Sequence, residues 1–493
     1  MNPMSSALEP SEALESPRPS ILLPIVLGMS VNLVSLVIGV PILMAITGLV
    51  VGLAATLIWS ERPLEWALFT AVLAANPANT STPIALNVLC AVVYFLIRKR
   101  SGWKSLPPLS QVALALVLLS TVVSILASLS MNRTVESIKA SDLLQPWLLT
   151  WSGGVSMRVL ISQVVNITNY LLGPFLFIPL IFSRIRQDYD PELLLKGMVF
   201  ALILPTLLMF LLARTFGQPV MDANALKDSM LNVSTFQLGK LNIQMLRTQV
   251  GIILAVMICA SFAVVISNVK RHLRIVATGC LALAIYFLLV TGSVGSTLAA
   301  LAGITLMLFM GMRHFSIKRY FILLTVGAGL ALATWTVLPQ SIQRYATSRY
   351  EERIGQSGSP TADRSWRWKR SFGYLMENPS GVGWSLYIEP LGVYPHNDYL
   401  TYAIAFGLVC GLVYLFYPSS MVFSFIAFNT GPMEPSRITL VLAGAGAGTV
   451  LFINSMSDHA SSNRWYFNVV WSLIWYAFFA SRAPRRKPSP RTH

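Results

Sequence analysis

Charged residues are scarce in this sequence. Asp, Glu, Lys and Arg make up 11% of its 493 residues, whereas soluble domains contain about 25%. Hydrophobic residues make up 55%, and the mean hydropathy is +0.64. The apolar residues form runs of about 20 residues between short polar breaks, a length that crosses a bilayer as a helix. The pattern excludes a soluble globular protein and predicts an all-α, polytopic integral membrane protein with about twelve to fourteen transmembrane helices.

Cysteine is scarce as well. The four cysteines all fall within apolar runs, at Cys90, Cys259, Cys280 and Cys410. A cysteine in an apolar run is usually a small core residue. The sequence therefore predicts no disulfide framework.

Acidic residues are nearly absent from the middle of the predicted spans. An ion-coupled transporter carries protons or sodium on such residues, so this class is disfavoured. The sequence also lacks the Walker A motif of an ATP-driven pump. The segments predicted to face outward contain no H-E-x-x-H motif and no clustered carboxylates, so we expect neither a metal site nor another cofactor.

One acidic motif has two interpretations. The stretch "DYDPE" (188–192) contains D-x-D, which binds a metal diphosphate in nucleotide-sugar enzymes. The alternative is a helix start, with Asp190 as the N-cap, Pro191 at the first helical position and Glu192 in the first turn. The helix start explains every residue of the motif, and it is our prediction.

Basic residues are in excess, giving a formal net charge of +16. They cluster between the predicted spans, at 98–104, 183–186, 268–274, 312–319 and 481–487. Clusters confined to the loops of one side are the positive-inside signature of a membrane protein. We therefore predict that both termini are cytoplasmic and that the charge does not serve nucleic-acid binding.

The apolar runs predict fourteen spans. They are 21–40, 42–59, 63–76, 83–98, 109–129, 159–183, 192–213, 246–267, 275–291, 295–311, 320–338, 398–417, 437–455 and 465–481. The resulting organisation is a disordered cytoplasmic tail (1–20), helices one to eleven (21–338), a long periplasmic loop (339–397), the last helices (398–481) and a basic cytoplasmic tail (482–493).

The long loop carries the first candidate site residues. It holds seven basic residues against five acidic ones, contrary to the bias expected on the outer side. If the segment around 364–370 is helical, Arg364, Arg367 and Arg370 share a face and suit a diphosphate, since guanidinium groups grip phosphate oxygens. Arg247 opens a span from the same side. For the other loop arginines, Arg344, Arg349 and Arg353, we favour snorkelling toward lipid headgroups.

The end of the loop raises a question about histidine, of which the chain has only five. In "YPHNDYL" His396 stands where the loop becomes a helix. Asn397 or Asp398 could cap that helix, but a cap needs no imidazole. A histidine titrates near neutral pH and can take a proton from an attacking hydroxyl, so we expect His396 to be functional. The other outward histidine, His459, is expected to be simply exposed.

Between these features lies "ENPSGVGW" (377–384). Gly381 and Gly383 could let the backbone approach a ligand. A plain turn is the alternative, and a lone G-x-G favours the turn.

Together these motifs resemble the O-antigen ligase and polymerase superfamily of bacterial envelope glycosyltransferases. The stretch "ADRSWRWKRSFGYLMENPSGVGW" and the following "YPHNDYLTYAIAFGLVCGL" carry the resemblance. The shared pattern is an arginine (Arg364), a tryptophan a few residues on (Trp368), a P-x-G-x-G-like turn (Pro379 to Gly383), then HN-x-YL and a glycine-containing helix.

The resemblance implies a metal-free glycosyltransferase at the periplasmic face of the bacterial inner membrane. Its donor would be a polyprenyl-diphosphate-linked glycan and its acceptor another glycan, with a chain-length regulator and a flippase as further partners. By motif, His396 would be the catalytic base and Arg247 a diphosphate ligand. The remaining candidates for binding diphosphate or sugar are Arg364, Arg367, Trp368, Arg370, Asn397, Asp398 and Tyr399.

The chain departs from the family pattern at one position. Family ligases usually have an arginine in an "SR" pair that opens a span, and Val294 stands in that place here. The difference favours a polymerase of lipid-linked repeat units over a ligase that transfers the glycan to lipid A-core or protein. A lipid-linked glycan flippase without catalysis is the alternative from another class of protein.

Overall fold

The computed structural model describes most of the predicted helices. The described residues are 22–38, 41–59, 62–73, 86–98, 106–130, 164–180, 235–238, 241–244, 247–291, 293–312, 314–315, 362–384, 391–428, 434–457 and 464–482, with isolated positions at 195–199 and 321–351.

The described elements are fourteen helices and one two-stranded hairpin. They are α1 (Leu22–Ile38), α2 (Pro41–Ile58), α3 (Pro63–Leu73), α4 (Leu86–Arg98), α5 (Pro108–Ser130), α6 (Val164–Leu180), β1 (Thr235–Leu238), β2 (Leu241–Gln244), α7 (Arg247–Ile266), α8 (Arg271–Thr291), α9 (Val294–Gly311), α10 (Ala362–Glu377), α11 (Asp398–Phe406), α12 (Leu408–Phe428), α13 (Pro435–Ser457) and α14 (Arg464–Arg482).

The helices confirm an all-α membrane protein. Five of them are long and apolar enough to cross a membrane, over Pro108–Ala127, Arg271–Leu289, Val294–Gly311, Leu408–Ala427 and Pro435–Met456. Shorter apolar helices accompany them. Several other predictions lie outside the described residues: the tail 1–20, the motif 188–192, His459 and, apart from isolated positions, the spans 192–213 and 320–338.

Two features differ from the predicted organisation. The segment before α7 contains an antiparallel hairpin, with Thr235 paired to Gln244 and Leu238 paired to Leu241. The predicted span 398–417 is not one helix, because α11 ends at Phe406 and α12 begins at Leu408. Gly407 separates them with a φ of 98°, in the left-handed region that favours glycine.

Small residues let the central helices α7, α9 and α13 approach closely. A Cβ on Gly303 of α9 would stand 2.7 Å from the sulfur of Cys259 and 3.1 Å from the carbonyl oxygen of Gly446 on α13. Such contacts are typical of helix packing in membranes, where van der Waals contact drives association. All four cysteines are buried and free, which confirms the prediction for them.

Helix α6 packs against α14 and against the segment that follows α10. Its central part, Thr168–Phe177, is π-helical and contains Pro174, whose carbonyl accepts a hydrogen bond of 2.9 Å from the indole N–H of Trp475. Tyr170 on the same helix stacks on Trp384, with ring centroids 4.3 Å apart and planes 12° from parallel. This stack holds the chain that follows α10 against the bundle.

Candidate functional site

Asn397 begins α11 and ties it to the end of α13. Its Oδ1 accepts a hydrogen bond of 3.1 Å from the backbone N–H of Leu400, so it is the N-cap of the helix. Its Nδ2 donates to the carbonyl oxygen of Met456 at 3.1 Å. The predicted capping role is thereby confirmed for Asn397. The same amide also fixes the distance between two helices.

His396 precedes this cap in a strained conformation. Its φ is 49°, and it is the one non-glycine residue with positive φ in the described part of the chain. A left-handed backbone at a bulky residue costs on the order of 1 kcal/mol or more and persists where the surroundings enforce it. Buried Pro395 on one side and the Asn397 cap on the other hold it here. The half-buried imidazole is thus carried on a fixed piece of backbone.

Asp398 does not face solvent. It is fully buried, and its Oδ2 accepts a hydrogen bond of 3.2 Å from the hydroxyl of Ser455 on α13. The hydroxyls of Ser455 and Tyr414 lie 3.4 Å apart, which extends the network to α12. The carboxylate therefore joins three helices beneath His396.

Tyr399 adds another link between the same helices. Its hydroxyl donates to the carbonyl oxygen of Phe452 at 3.0 Å, and its ring lies 5.5 Å from that of Tyr414. Tyr402, one turn further, stacks on Tyr414 at 4.1 Å with planes 3° apart. These contacts make α11 a rigid support, because aromatic pairs and buried hydrogen bonds restrict it on several sides.

The beginnings of α7 and α9 lie at the same end of the bundle. Arg247 is the first residue of α7, and Gly251 one turn later approaches Ser293, the N-cap position of α9, so closely that a Cβ would be 2.7 Å from the Ser293 hydroxyl. The hydroxyl of Ser296 donates to Oδ1 of Asn454 at 3.1 Å. Asn454 precedes Ser455, so the end of α13 connects this region with α11.

This connection places two sequence predictions in the same region. Arg247 and His396, 149 positions apart by their numbering, stand near helix starts that are linked to the end of α13, for α7 through Ser296 of α9 and for α11 through Asn397. The side chain of Arg247 lies outside the described residues. Val294 is the first residue of α9 in the same region.

The predicted helix in the long loop exists as α10, but its three arginines do not share one environment. Arg364 and Arg367 are half-buried, whereas Arg370 is exposed. A step of three residues advances around an α-helix by about 300°, which is about 60° short of a full turn. Over the two steps from Arg364 to Arg370 the shift is about 120°, so Arg370 lies on a different face. Arg367 also lies over the ring of Trp366, with Cζ 5.1 Å from the centroid.

Arg370 instead approaches the segment that leads to His396. Its Nη2 lies 3.7 Å from the position that a Cβ on Gly392 would occupy. Gly392 is four residues before His396. The exposed guanidinium is therefore next to the strained loop.

Trp368 presents an indole N–H without a hydrogen-bond partner. The nitrogen is buried, although the side chain as a whole is half-buried. A buried donor without a partner costs about 1–3 kcal/mol. Such a donor suits a sugar hydroxyl.

The glycine-rich turn 379–383 has a structural role that the sequence did not indicate. The backbone N–H groups of Val382 and Gly383 donate to the carbonyl oxygens of Ile404 and Ala405, each at 2.9 Å. A Cβ on Gly381 would stand 2.5 Å from the backbone nitrogen of Gly407. The glycines thus let the turn reach the end of α11 rather than a ligand. The available signal was Gly407 itself, a glycine inside an apolar run.

Helix α5 also binds the carboxyl end of α11. The hydroxyls of Ser120 and Ser124 donate to the carbonyl oxygens of Phe406 and Ala405, at 2.5 and 2.6 Å. The last carbonyls of α11, which have no partner inside the helix, are all bound in this way. The carboxyl end of α11 is therefore closed.

The described residues contain no group of three or more His, Cys, Asp or Glu side chains arranged to hold a metal ion.

Comparison with known proteins gives one family match. Residues 279–415 match a family model described as O-antigen ligase. The matched part runs from α8 to the first turns of α12 and includes α10, the turn 379–383 and His396. The match confirms the resemblance to the O-antigen ligase and polymerase superfamily. No curated protein matches the chain.

Proposed function

We propose that this chain, whose residues 279–415 match a family model described as O-antigen ligase, polymerises polyprenyl-diphosphate-linked oligosaccharide repeat units. The reaction takes place at the periplasmic face of the bacterial inner membrane. The observation that carries the proposal is the strained, doubly anchored backbone at His396. Strain of this kind persists where a side chain must be held in a set position.

In the proposed reaction His396 is the general base. The neutral imidazole accepts the proton of an acceptor sugar hydroxyl while that oxygen attacks the anomeric carbon of the donor. The new glycosidic C–O bond forms as the C–O bond to the lipid diphosphate breaks, and the diphosphate leaves as an anion. Because a single displacement occurs, the anomeric configuration inverts. A base acts only within hydrogen-bond reach, and the anchored backbone supplies that placement.

The leaving diphosphate needs positive charge to stabilise it. Arg247 at the start of α7 provides a guanidinium together with the positive end of the helix dipole. Arg370 approaches from α10 beside the His396 loop, whereas Arg364 and Arg367 lie on another face of that helix and are assigned to the rest of the lipid-linked glycan. With the charge of Arg247 and Arg370 the reaction proceeds without a divalent metal ion.

The remaining candidate residues divide into two roles. Trp368 binds the sugar, because its buried indole N–H lacks a partner and its ring offers an apolar face. Asn397, Asp398 and Tyr399 hold α11 in place through α13. They act on the substrate through His396 rather than by direct contact.

Ligation is the second candidate function. The family model that matches is described as a ligase, which favours transfer of a finished glycan to lipid A-core or protein. Val294, in place of the usual arginine at the start of α9, favours polymerisation instead.

The deciding experiment is an assay of the purified protein with a polyprenyl-diphosphate oligosaccharide, without added metal. A polymerase gives a ladder of repeat units on a gel, and a ligase gives one product that requires an added acceptor. His396→Ala is expected to abolish either product while the donor still binds. His272→Ala is the matched control, since His272 is an exposed histidine at the opposite end of the bundle.

A third result would contradict both functions. If no product forms and the intact donor crosses the membrane of vesicles containing the protein, the chain is a flippase. In that case His396→Ala leaves translocation unchanged, because translocation needs no general base.

A further inference from the structure

The last turn of α13 has two polar faces. Asn454 and Ser455 are neighbours in sequence, so their side chains point about 100° apart around the helix. Asn454 is directed to α9, where its Oδ1 accepts a hydrogen bond of 3.1 Å from the hydroxyl of Ser296. Ser455 is directed to α11, where its hydroxyl donates to Oδ2 of Asp398 at 3.2 Å. All four side chains are buried, so the two bonds are shielded from competing water.

The α9 side of this turn reaches α7 as well. The hydroxyl of Ser293 donates to that of Ser296 at 3.0 Å, so two hydroxyls form a chain that ends on Asn454. Gly251 of α7 lies against this pair, because a Cβ there would stand 2.8 Å from the Ser296 hydroxyl. Gly251 is one turn after Arg247. The start of α7 therefore rests on the hydroxyls that Asn454 binds.

The α11 side of the turn holds the segment that follows His396. Positions 452, 455 and 456 are three and four residues apart, so they lie on one face of α13. Three atoms of this face bind the three consecutive residues 397–399: the carbonyl oxygen of Phe452, the hydroxyl of Ser455 and the carbonyl oxygen of Met456. The backbone of His396 is thereby tied to the same turn that holds the starts of α7 and α9.

These hydrogen bonds fix what apolar packing leaves free. Apolar contact is non-directional, whereas a hydrogen bond demands a donor–acceptor distance near 3 Å and a set angle. The central helices otherwise meet through small and apolar residues such as Cys259, Gly303 and Gly446, contacts that do not by themselves define one height. The bonds of Asn454 and Ser455 therefore set the heights of α9 and α11 on α13.

We propose that Asn454 and Ser455 are positioning residues that set the separation between Arg247 and His396. The inference rests on the proposed function, in which Arg247 binds the diphosphate of the donor and His396 takes the proton of the acceptor. Reacting atoms must approach to about 3–3.5 Å in a defined direction, so the two halves of the site require a common support. The last turn of α13 is that support, because its two adjacent residues hold one half each.

The kinetic test breaks each bond separately. Ser296→Ala and Ser455→Ala each remove one bond and leave Arg247 and His396 in the chain. We expect each variant to lower kcat about tenfold with little change in the KM of the donor, because a misplacement of 1 Å costs up to about 100-fold in rate. In the double variant we expect no further loss, since either break already frees one half from the other. Thermal unfolding in detergent checks that every variant is folded at the assay temperature.

Ser261 provides the matched control. It is a fully buried serine of α7, and its hydroxyl has no hydrogen-bond partner in the part of the chain that the structure describes. Ser261→Ala removes a buried hydroxyl without removing a bond, so kcat is expected to equal that of the wild type.

A distance measurement requires no turnover. Leu298, two residues after Ser296 on α9, is 51% exposed, and Val409, at the start of α12 directly after α11, is 45% exposed. Nitroxide spin labels are attached at Leu298→Cys and Val409→Cys, and their separation is measured by pulsed electron paramagnetic resonance. The distance distribution is expected to be narrow in Ser261→Ala and broader or shifted in Ser296→Ala and in Ser455→Ala.

The outcomes separate this proposal from the proposed function. If Ser296→Ala and Ser455→Ala keep the distance distribution of the wild type, the proposal is overturned. It is also overturned if kcat stays at the wild-type value while the unfolding temperature falls, because the two bonds then only stabilise the fold. If the distribution broadens as expected but the wild type forms no glycan product with any donor, the proposed function fails while the role of α13 as the common support stands.

Discussion

Single residues at the site are held by contacts with distant parts of the chain. His396 has a left-handed backbone, and its neighbours Asn397, Asp398 and Tyr399 each bind an atom of α13. Buried polar groups that are all satisfied rigidify a structure. The energetic cost of the strain at His396 is thus offset by the residues that follow it.

The role of Asn397 leads to a prediction at this scale. Asn397→Ala removes both the cap and the link to Met456, and we expect it to lower the free energy of unfolding by about 1 kcal/mol. We expect kcat to fall more than KM rises, because the base is misplaced while the donor contacts remain. Thermal unfolding in detergent and steady-state kinetics would measure the two effects.

Asn397→Asp is the matched variant. It keeps the oxygen that caps α11 but lacks the donor to the carbonyl of Met456. We expect the stability to be largely retained and kcat still to fall. Equal kinetics for Asn397→Asp and the wild type would show that the link to α13 does not position His396.

Among the elements, the broken helix of α11 and α12 defines the site. A continuous helix over 398–417 would leave no place for the turn 379–383, because that turn binds the carbonyl end of α11. This turn also fixes the end of α10 and the loop before His396. The break at Gly407 therefore brings the helix α10, the turn 379–383 and the histidine loop into one unit of structure.

Replacement of Gly407 tests this element. In Gly407→Ala the new Cβ would stand 2.7 Å from the hydroxyl of Ser120 and 3.0 Å from the carbonyl oxygen of Ser380, at a φ of 98°. We expect a loss of about 2 kcal/mol or more from the combined strain and overlap. Thermal unfolding would measure the loss.

Gly373→Ala is the control for this prediction. Gly373 is helical and exposed, with open space around it. There alanine is expected to stabilise the protein by about 0.5–1 kcal/mol, because it reduces the entropy of the unfolded chain. If both variants change stability alike, backbone conformation at Gly407 does not matter.

For the molecule as a whole, the positions of the helices were predictable from the sequence, whereas the contacts between helices were not. Most predicted spans agree with the described helices to within a few residues, because a bilayer demands continuous apolar runs. Gly407 and Asp398 could not be placed in this way. Their surroundings come from α5 and α13, and the hydroxyl of Ser124 binds the carbonyl of Ala405 across 281 residues of sequence.

In the candidate site, too, the local motif was predictable and the contacts with other helices were not. His396 and its cap were visible as a motif, and Asn397 is the N-cap as predicted. The full burial of Asp398 and the separation of Arg370 from Arg364 and Arg367 could not be predicted from the motif. These features depend on which helix packs against which face.

Orientation in the membrane is a prediction for the whole molecule. Ser365 on α10 and His272 on α8 are exposed and lie toward opposite ends of the bundle. In spheroplasts, a membrane-impermeant maleimide is expected to label Ser365→Cys at once and His272→Cys only after permeabilisation. The four native cysteines are buried and give a low background. The reverse order of labelling would contradict a periplasmic site.

The closed end of α11 also differs from the interrupted helices of ion-coupled transporters. In transporters with interrupted helices, free carbonyl groups at the interruption coordinate sodium. Here the carbonyls of Ile404, Ala405 and Phe406 all accept hydrogen bonds from the turn or from α5. The same carbonyls bind protein donors instead, so the interruption serves to join α11 to the turn and to α5.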